Sequence, residues 1–234
     1  MSFSTFRPLA LSLSVAVLLG ACASAPRPVA AAAAAAQVAD GSTARVAILE
    51  TTDVHSNILS YDYYKQREDD SLGYERVATL IRQARQEFPD SFLFDDGDTI
   101  QGSVLADYQA RVKPVACDET LAIYKAMNAL GYDGGTAGNH EFNYGLGFLS
   151  QVTGTPMNVE GSVAEKCTGP DFPLVLSNVF SARDGQPIFK PWTIVAKPVT
   201  VTDAAGRSRK VPLRVAIIGF TPPPIMEWDK QNLE

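Results

Sequence analysis

Histidine is scarce in this chain, with two in 234 residues, His55 and His140. Any site that pairs imidazoles from this sequence must use both. Cysteine is nearly as scarce, with Cys22, Cys117 and Cys167 only. There is no run of Lys and Arg, and the formal net charge is −6. A nucleic-acid polymer is therefore excluded as a partner. No internal repeat is visible, so the chain is not a repeat array. The early apolar run from Pro8 to Ala21 is too short for a bilayer-spanning helix, which needs about 20 apolar residues.

That run follows Arg7 and reads as the apolar region of a secretory signal. It ends in Leu19-Gly20-Ala21-Cys22, which resembles the lipobox of bacterial lipoproteins, where the cysteine is acylated. A plain cleaved signal, with Cys22 incidental, is the alternative. Residues 1–22 are thus expected to be a lipoprotein-type signal, and the protein is expected to be exported, periplasmic or in the cell envelope. Several acyl chains on Cys22 would anchor it to a membrane, whereas one would hold it only marginally. Residues 23–43 carry Pro26, Pro28 and seven alanines, Ala30 to Ala36, and read as a tether with no side chains to build a core. Residues 44–234 suit a single domain. In an exported protein, Cys117 and Cys167 are candidates for one disulfide, with two separate buried thiols as the alternative.

Within that domain, 44–58 opens as a buried strand and ends in a polar loop. Tyr74, Val77, Ala78, Ile81, Ala84 and Phe88 recur at helical spacing, and Pro89-Asp90 ends the helix. "SFLFDDGD" (91–98) is a strand running into a tight turn. A second helix is expected over 117–133, with Asp118 as its N-cap and Gly131 as its stop. Strands are expected at 172–180 and, as a long pair around a turn near Asp203–Gly206, over 192–220. The final residues, from Thr221, read as loop. Strands alternating with helices, then hairpins, predict an α/β sandwich with mixed sheets and flanking helices.

Three clusters follow strands and place oxygen or imidazole donors in the loop beyond: Asp53-Val54-His55, Asp95-Asp96-Gly97-Asp98 and Gly138-Asn139-His140-Glu141. In open α/β sheets, ligands collect beyond the carboxyl ends of strands. Mixed O and N donors suit Zn²⁺, Mn²⁺ or Fe rather than an all-thiolate structural site. Each cluster alone has an ordinary reading: a loop D-x-H, a turn "GD", a solvated histidine. Asp95 and Asp96 read as turn or cap residues. The joint order is what carries the signal.

The segments "TTDVHSNILSYDYYK", "DDGDTIQGSVLADY", "YKAMNALGYDGGTAGNHEFNYGL" and "IGFTPPPIMEWDKQNLE" resemble the calcineurin-like metallophosphoesterases, and within them the exported 5′-nucleotidase group. The likeness runs over residues 45–234. It implies the N-terminal part of a metallophosphoesterase domain that uses two divalent transition metal ions (Zn, Mn, Fe or Co) to hydrolyse nucleotide phosphoesters. By position, Asp53 and His55 would hold the first ion, Asp98 would bridge both, and Asn139 would hold the second. His140 would be catalytic, at the leaving oxygen as proton donor or electrostatic stabiliser.

One departure matters. The 5′-nucleotidases proper carry an aspartate where this chain has Asn143, which brings no charge to His140. "HEFNYG" instead looks like the branch acting on 2′,3′-cyclic nucleotides and 3′-nucleotides. A 5′-nucleotidase or a nucleotide-sugar hydrolase is the alternative substrate reading. The family also uses further histidines and base-stacking aromatics in a C-terminal part, and neither is found in these 234 residues. The expectation is therefore a chain that binds at most one metal ion weakly and is inactive alone. A catalytically inactive, lipid-anchored metal-binding module is the rival of another class.

Overall fold

The computed structural model describes residues 38–163 and 165–233. The signal, Cys22 and most of the tether lie outside the described residues. The expected tether reaches residue 43, yet Thr43 already belongs to a strand paired with Thr202.

In chain order the strands are β1 (Thr43–Ala44), β2 (Ala47–Thr51), β3 (Tyr61–Asp62), β4 (Arg67–Glu68), β5 (Ser91–Asp95), β6 (Gly134–Thr136), β7 (Leu174–Val175), β8 (Trp192–Thr202) and β9 (Ser208–Ile218). The helices are α1 (Tyr74–Glu87), α2 (Val104–Asp107), α3 (Ala122–Leu130), α4 (Gly145–Thr153), α5 (Ile225–Trp228) and α6 (Lys230–Leu233). Strands β2, β5, β6 and β7 form a parallel sheet in that order, and β1, β8 and β9 an antiparallel one. The α/β sandwich expected from the sequence is present, with parallel pairing in one sheet and antiparallel pairing in the other and in the small β3–β4 pair. Neighbouring parallel strands need a long crossover. Helices α1, α3 and α4 lie in those crossovers.

Alternation along β5 assigns the layers, because successive strand residues face opposite sides. Leu93 joins a core with Ile81 of α1, Met127 of α3 and Leu149 of α4. Phe92 packs the other way, against Val199, Val201 and Val211 of the antiparallel sheet. Both are fully buried, and each such side chain contributes roughly 1.5–3 kcal/mol of transfer free energy.

Helix α1 buries Tyr74, Ala78 and Ile81 as the spacing requires, and Phe88 caps it ahead of Pro89. Helix α3 starts at Ala122, later than expected, and Asp118 is not its cap. The carbonyl of Cys117 accepts from Thr168 N at 2.7 Å, and the helix begins only after Leu121, whose ψ of 141° is not helical. Gly131 does end α3, in the left-handed conformation at φ 64°. The strand expected over 172–180 shrinks to Leu174–Val175. Beyond it, Leu176 N donates to Lys190 and Ser177 N to Gly219, which draws the backbone out of the sheet. The expected terminal loop contains the two short helices α5 and α6. Cys117 and Cys167 form a disulfide, with Cα atoms 4.6 Å apart. Among the described residues no helix is long and apolar enough to cross a membrane.

Candidate active site

The loops after β2, β5 and β6 meet beyond the carboxyl end of the parallel sheet. The first two are stitched through backbone. Asp53 N donates to Gly97 O at 3.1 Å, His55 N to Asp98 O at 3.0 Å, and Asp96 N to Thr51 O at 2.8 Å. In these loops Asp53, His55, Ser56 and Asp98 hold positive φ, at 54°, 46°, 53° and 56°. That backbone costs of order 1–3 kcal/mol per non-glycine residue and persists where the surroundings enforce it, typically at functional sites. Three of the four are residues that the sequence marks as metal ligands.

The second and third loops are joined by Glu141. Its side chain is buried at 2% exposure. One carboxylate oxygen accepts from Asp98 N at 2.9 Å and Gly138 N at 2.6 Å. The other accepts from Thr99 N at 2.6 Å and Ile100 N at 3.3 Å. Burial pushes the carboxyl up, while these N–H groups, which can only donate, oppose that shift. The two loops pass so closely that a Cβ on Gly97 would collide with Gly138 N, and one on Gly138 would collide with the Asp98 carboxylate.

His55 Nδ1 lies 2.7 Å from Gln101 O. A carbonyl only accepts, so Nδ1 carries the proton and Nε2 keeps its lone pair. Nε2 is 3.6 Å from Asp53 Oδ1. The ring meets His140 edge-on, with centroids 4.8 Å apart. His55, Asp98 and His140 can each bring a ligand atom within 4.8 Å of the others. The structure thus gathers His55, Asp98 and His140, with Asp53 beside His55. Asn139 is half-buried and opens the short turn His140–Phe142 in the same loop.

His140 is tied more elaborately than the sequence suggests. Its backbone N donates to Asp98 Oδ1 at 2.8 Å. Its Nδ1 lies 2.7 Å from both Gln101 Oε1 and Asn143 Oδ1. Asn143 Nδ2 in turn donates to both carboxylate oxygens of Asp229, each at 2.8 Å. A negative charge therefore does stand behind His140, one residue further out than in the aspartate pattern.

Asp95 plays the structural part expected of it. It accepts from Thr51 Oγ1 at 2.6 Å, Thr99 Oγ1 at 2.5 Å and Gly97 N at 3.1 Å. Thr51 Oγ1 is also 2.8 Å from Tyr132 Oη, which accepts from Tyr74 Oη at 2.6 Å. Burial pushes the Asp95 carboxyl up to about 7. Sequence reasoning missed the roles of Glu141, Gln101 and Asp229. Glu141 stood inside a flagged motif, but its burial was not legible. Asp229 is 86 residues from Asn143, and no local pattern connects them. A cavity of about 560 Å³ lined by Phe142, Leu146, Val179, Ile188 and Ile225 holds none of the candidate ligands.

This chain, a parallel sheet backed by helices and faced by an antiparallel sheet, with D-x-H, G-D and G-N-H-E loops gathered at its strand ends, is similar in sequence and fold to calcineurin-like phosphoesterases. Among its relatives is the 2′,3′-cyclic-nucleotide 2′-phosphodiesterase/3′-nucleotidase of Yersinia enterocolitica. It is 43% identical over 195 residues, which cover 83% of this chain and 27% of that protein. The snake venom 5′-nucleotidase of Gloydius brevicauda is 33% identical over 161 residues, covering 63% of this chain and 26% of that protein. Among solved structures, the calcineurin-like phosphoesterase YfkN from Bacillus subtilis superposes with a TM-score of 0.66 at 40% identity, over 80% of this chain and 51% of that one. No family model matches the chain. The chain spans about a quarter of the length of these curated relatives.

Proposed function

We propose that this chain supplies metal ligands and the leaving-group histidine of a phosphoesterase acting on nucleotides, with 2′,3′-cyclic nucleotides and 3′-nucleotides as its substrates. The observation that carries the reading is the convergence of His55, Asp98 and His140, with Asp53 beside His55, on loops where Asp53, His55 and Asp98 hold left-handed backbone. The residues fit a divalent transition metal. His55 keeps a bare Nε2 because Gln101 O accepts a hydrogen bond from its Nδ1–H. Asp53 and Asp98 add carboxylate oxygens, a mixed donor set suited to Zn²⁺, Mn²⁺, Fe or Co. Asp53, His55 and Asp98 would hold one ion, and Asp98 with Asn139 would offer oxygens to a second. When bound, such ions supply Lewis acidity toward water and the phosphoryl oxygens. The chain's own part in the chemistry is proton placement. Nδ1 of His140 is engaged by Gln101 and Asn143. Its Nε2 is then the nitrogen left to hold the proton that the leaving oxygen takes.

The substrate class rests on the nearer likeness to a cyclic-nucleotide enzyme, at 43% identity against 33% for a 5′-nucleotidase. The test is turnover of 2′,3′-cyclic AMP, 3′-AMP and 5′-AMP by the full-length natural protein with Mn²⁺. Hydrolysis of the first two is expected. A clear preference for 5′-AMP would select the 5′-nucleotidase reading, and no hydrolysis of any would remove the proposal.

Export and acylation at Cys22 belong to the same reading. The Leu19-Gly20-Ala21-Cys22 sequence supports both, and the Cys117–Cys167 disulfide, a bond that persists in oxidising compartments, supports export. A labelled fatty acid should mark the wild-type protein, and retention of label by Cys22→Ser would place the anchor elsewhere.

A further inference from the structure

We propose that Asp229 is a positioning residue for His140, acting through the side-chain amide of Asn143. The inference rests on the reading of His140 as the residue at the leaving oxygen. A carboxylate can only accept hydrogen bonds. Both oxygens of Asp229 lie 2.8 Å from the same Asn143 nitrogen, so that side must be the amide NH₂. The amide then has one orientation, with Oδ1 toward His140 at 2.7 Å. An amide oxygen also only accepts, so the proton of the neutral imidazole sits on Nδ1 and Nε2 is bare. Asp229 thus fixes the tautomer of a ring it does not touch.

Asp229 is well built for this task. It is buried at 6% exposure. Its backbone N caps α5 by donating to Ile225 O at 2.9 Å. Asn232 Nδ2 donates to its Oδ1 at 2.9 Å and to Asn143 O at 3.3 Å, which ties the acid and the amide to one short helix. Gln101 Oε1, the other acceptor at His140 Nδ1, has no such anchor among the described residues, so its amide orientation is not fixed in the same way. The chemistry that a direct aspartate would supply at position 143 is relayed here through one amide. This accounts for an asparagine beside a histidine that has to handle a proton.

The test uses the fact that this chain has two histidines. Two-bond ¹H–¹⁵N spectra of the metal-free, ¹⁵N-histidine-labelled chain report the tautomer of each ring. His55 is the internal control, because its Nδ1 partner is the Gln101 carbonyl and does not involve Asp229. Wild type should show both rings protonated at Nδ1. Asp229→Asn should leave His55 unchanged and convert His140 to a mixture of tautomers. The swap Asn143→Asp with Asp229→Asn moves the carboxylate one residue inward and should restore a single Nδ1-protonated form. In the full-length natural protein, Asp229→Asn should slow 2′,3′-cyclic AMP by on the order of 10–100-fold in kcat, as loss of an imidazole's orienting partner does elsewhere. Bis(p-nitrophenyl) phosphate, whose leaving group needs no proton, should be nearly unaffected, and the swap should recover cyclic AMP turnover. An unchanged His140 tautomer in Asp229→Asn overturns the proposal, as does an equal loss on both substrates. If that variant does not fold, the swap decides: with His55 native, failure to recover turnover also overturns it. If wild type hydrolyses neither substrate, the enzymatic reading fails, while the tautomer experiment still judges the positioning role.

Discussion

Asp95 offers the sharpest test of how the buried network under the site is held. Its partners are mostly hydroxyls, Thr51 and Thr99, and Thr51 continues the chain to Tyr132 and Tyr74. Hydroxyls can rotate to accept as well as donate. The pocket therefore accommodates a protonated carboxyl, and burial raises Asp95 from its ordinary 3.8 to about 7. The sign follows from proton counting. Between about pH 4 and pH 7 the folded protein holds this proton and the unfolded chain does not, so stability falls as pH rises through that window and levels off above it. At about 1.4 kcal/mol per pH unit, the contribution is on the order of 4 kcal/mol. Asp95→Asn does not titrate and keeps an oxygen for Gly97 N and Thr99 Oγ1. Urea unfolding of both proteins at pH 4.5, 6 and 8 isolates the effect, because other groups cancel in the difference. The variant should gain on wild type by roughly 3–4 kcal/mol across the series. A difference that stays constant with pH, or that runs the other way, refutes the reasoning.

Glu141 should behave oppositely to substitution by its amide. Its partners are backbone N–H groups that cannot reverse, so Glu141→Gln turns an NH₂ toward two of them. Hydrogen bonds to a charged acceptor are each worth about 1.5–3 kcal/mol, which for two gives a loss of roughly 3–6 kcal/mol in urea unfolding; a loss under about 1 kcal/mol would mean that Glu141 does not staple the loops. The Cys117–Cys167 bond spans 50 residues. Closing such a loop contributes about 4 kcal/mol, so Cys117→Ser with Cys167→Ser should lower Tm by about 10 °C. Intact mass with and without reductant should differ by two protons, and no difference would remove the bond.

Much of the fold is legible because its signals are local. Helical spacing places α1, the turn at Asp203–Gly206 separates β8 from β9, and Gly131 stops α3 as glycine does. The errors fall where distant contacts decide. Asp118 looks like a cap, but Cys117 is held to the segment around Cys167 by the disulfide and a backbone hydrogen bond, and the helix is capped at Leu121 instead. The segment 172–180 has strand composition, but its backbone is claimed by Lys190 and Gly219. At the site, the types and order of Asp53, His55, Asp98 and His140 were readable, because each follows a strand in a parallel sheet. Glu141 and Asp229 were not, because their function lies in what they face across the fold. Asn143 looked like the loss of a charge, and Asp229 supplies one from the far end of the described chain.

The account's central claim is that the loops after β2 and β5 form a metal site in this chain. Its most direct test is a Co²⁺ titration followed by visible absorption and calorimetry, on wild type and on His55→Ala and Asp98→Ala. The account predicts one weakly held ion per chain in wild type, bound through Asp53, His55 and Asp98 as in a three-ligand site, and its loss in both variants. Co²⁺ binding that survives Asp98→Ala unchanged, or no binding at all by the folded wild-type chain, would contradict it.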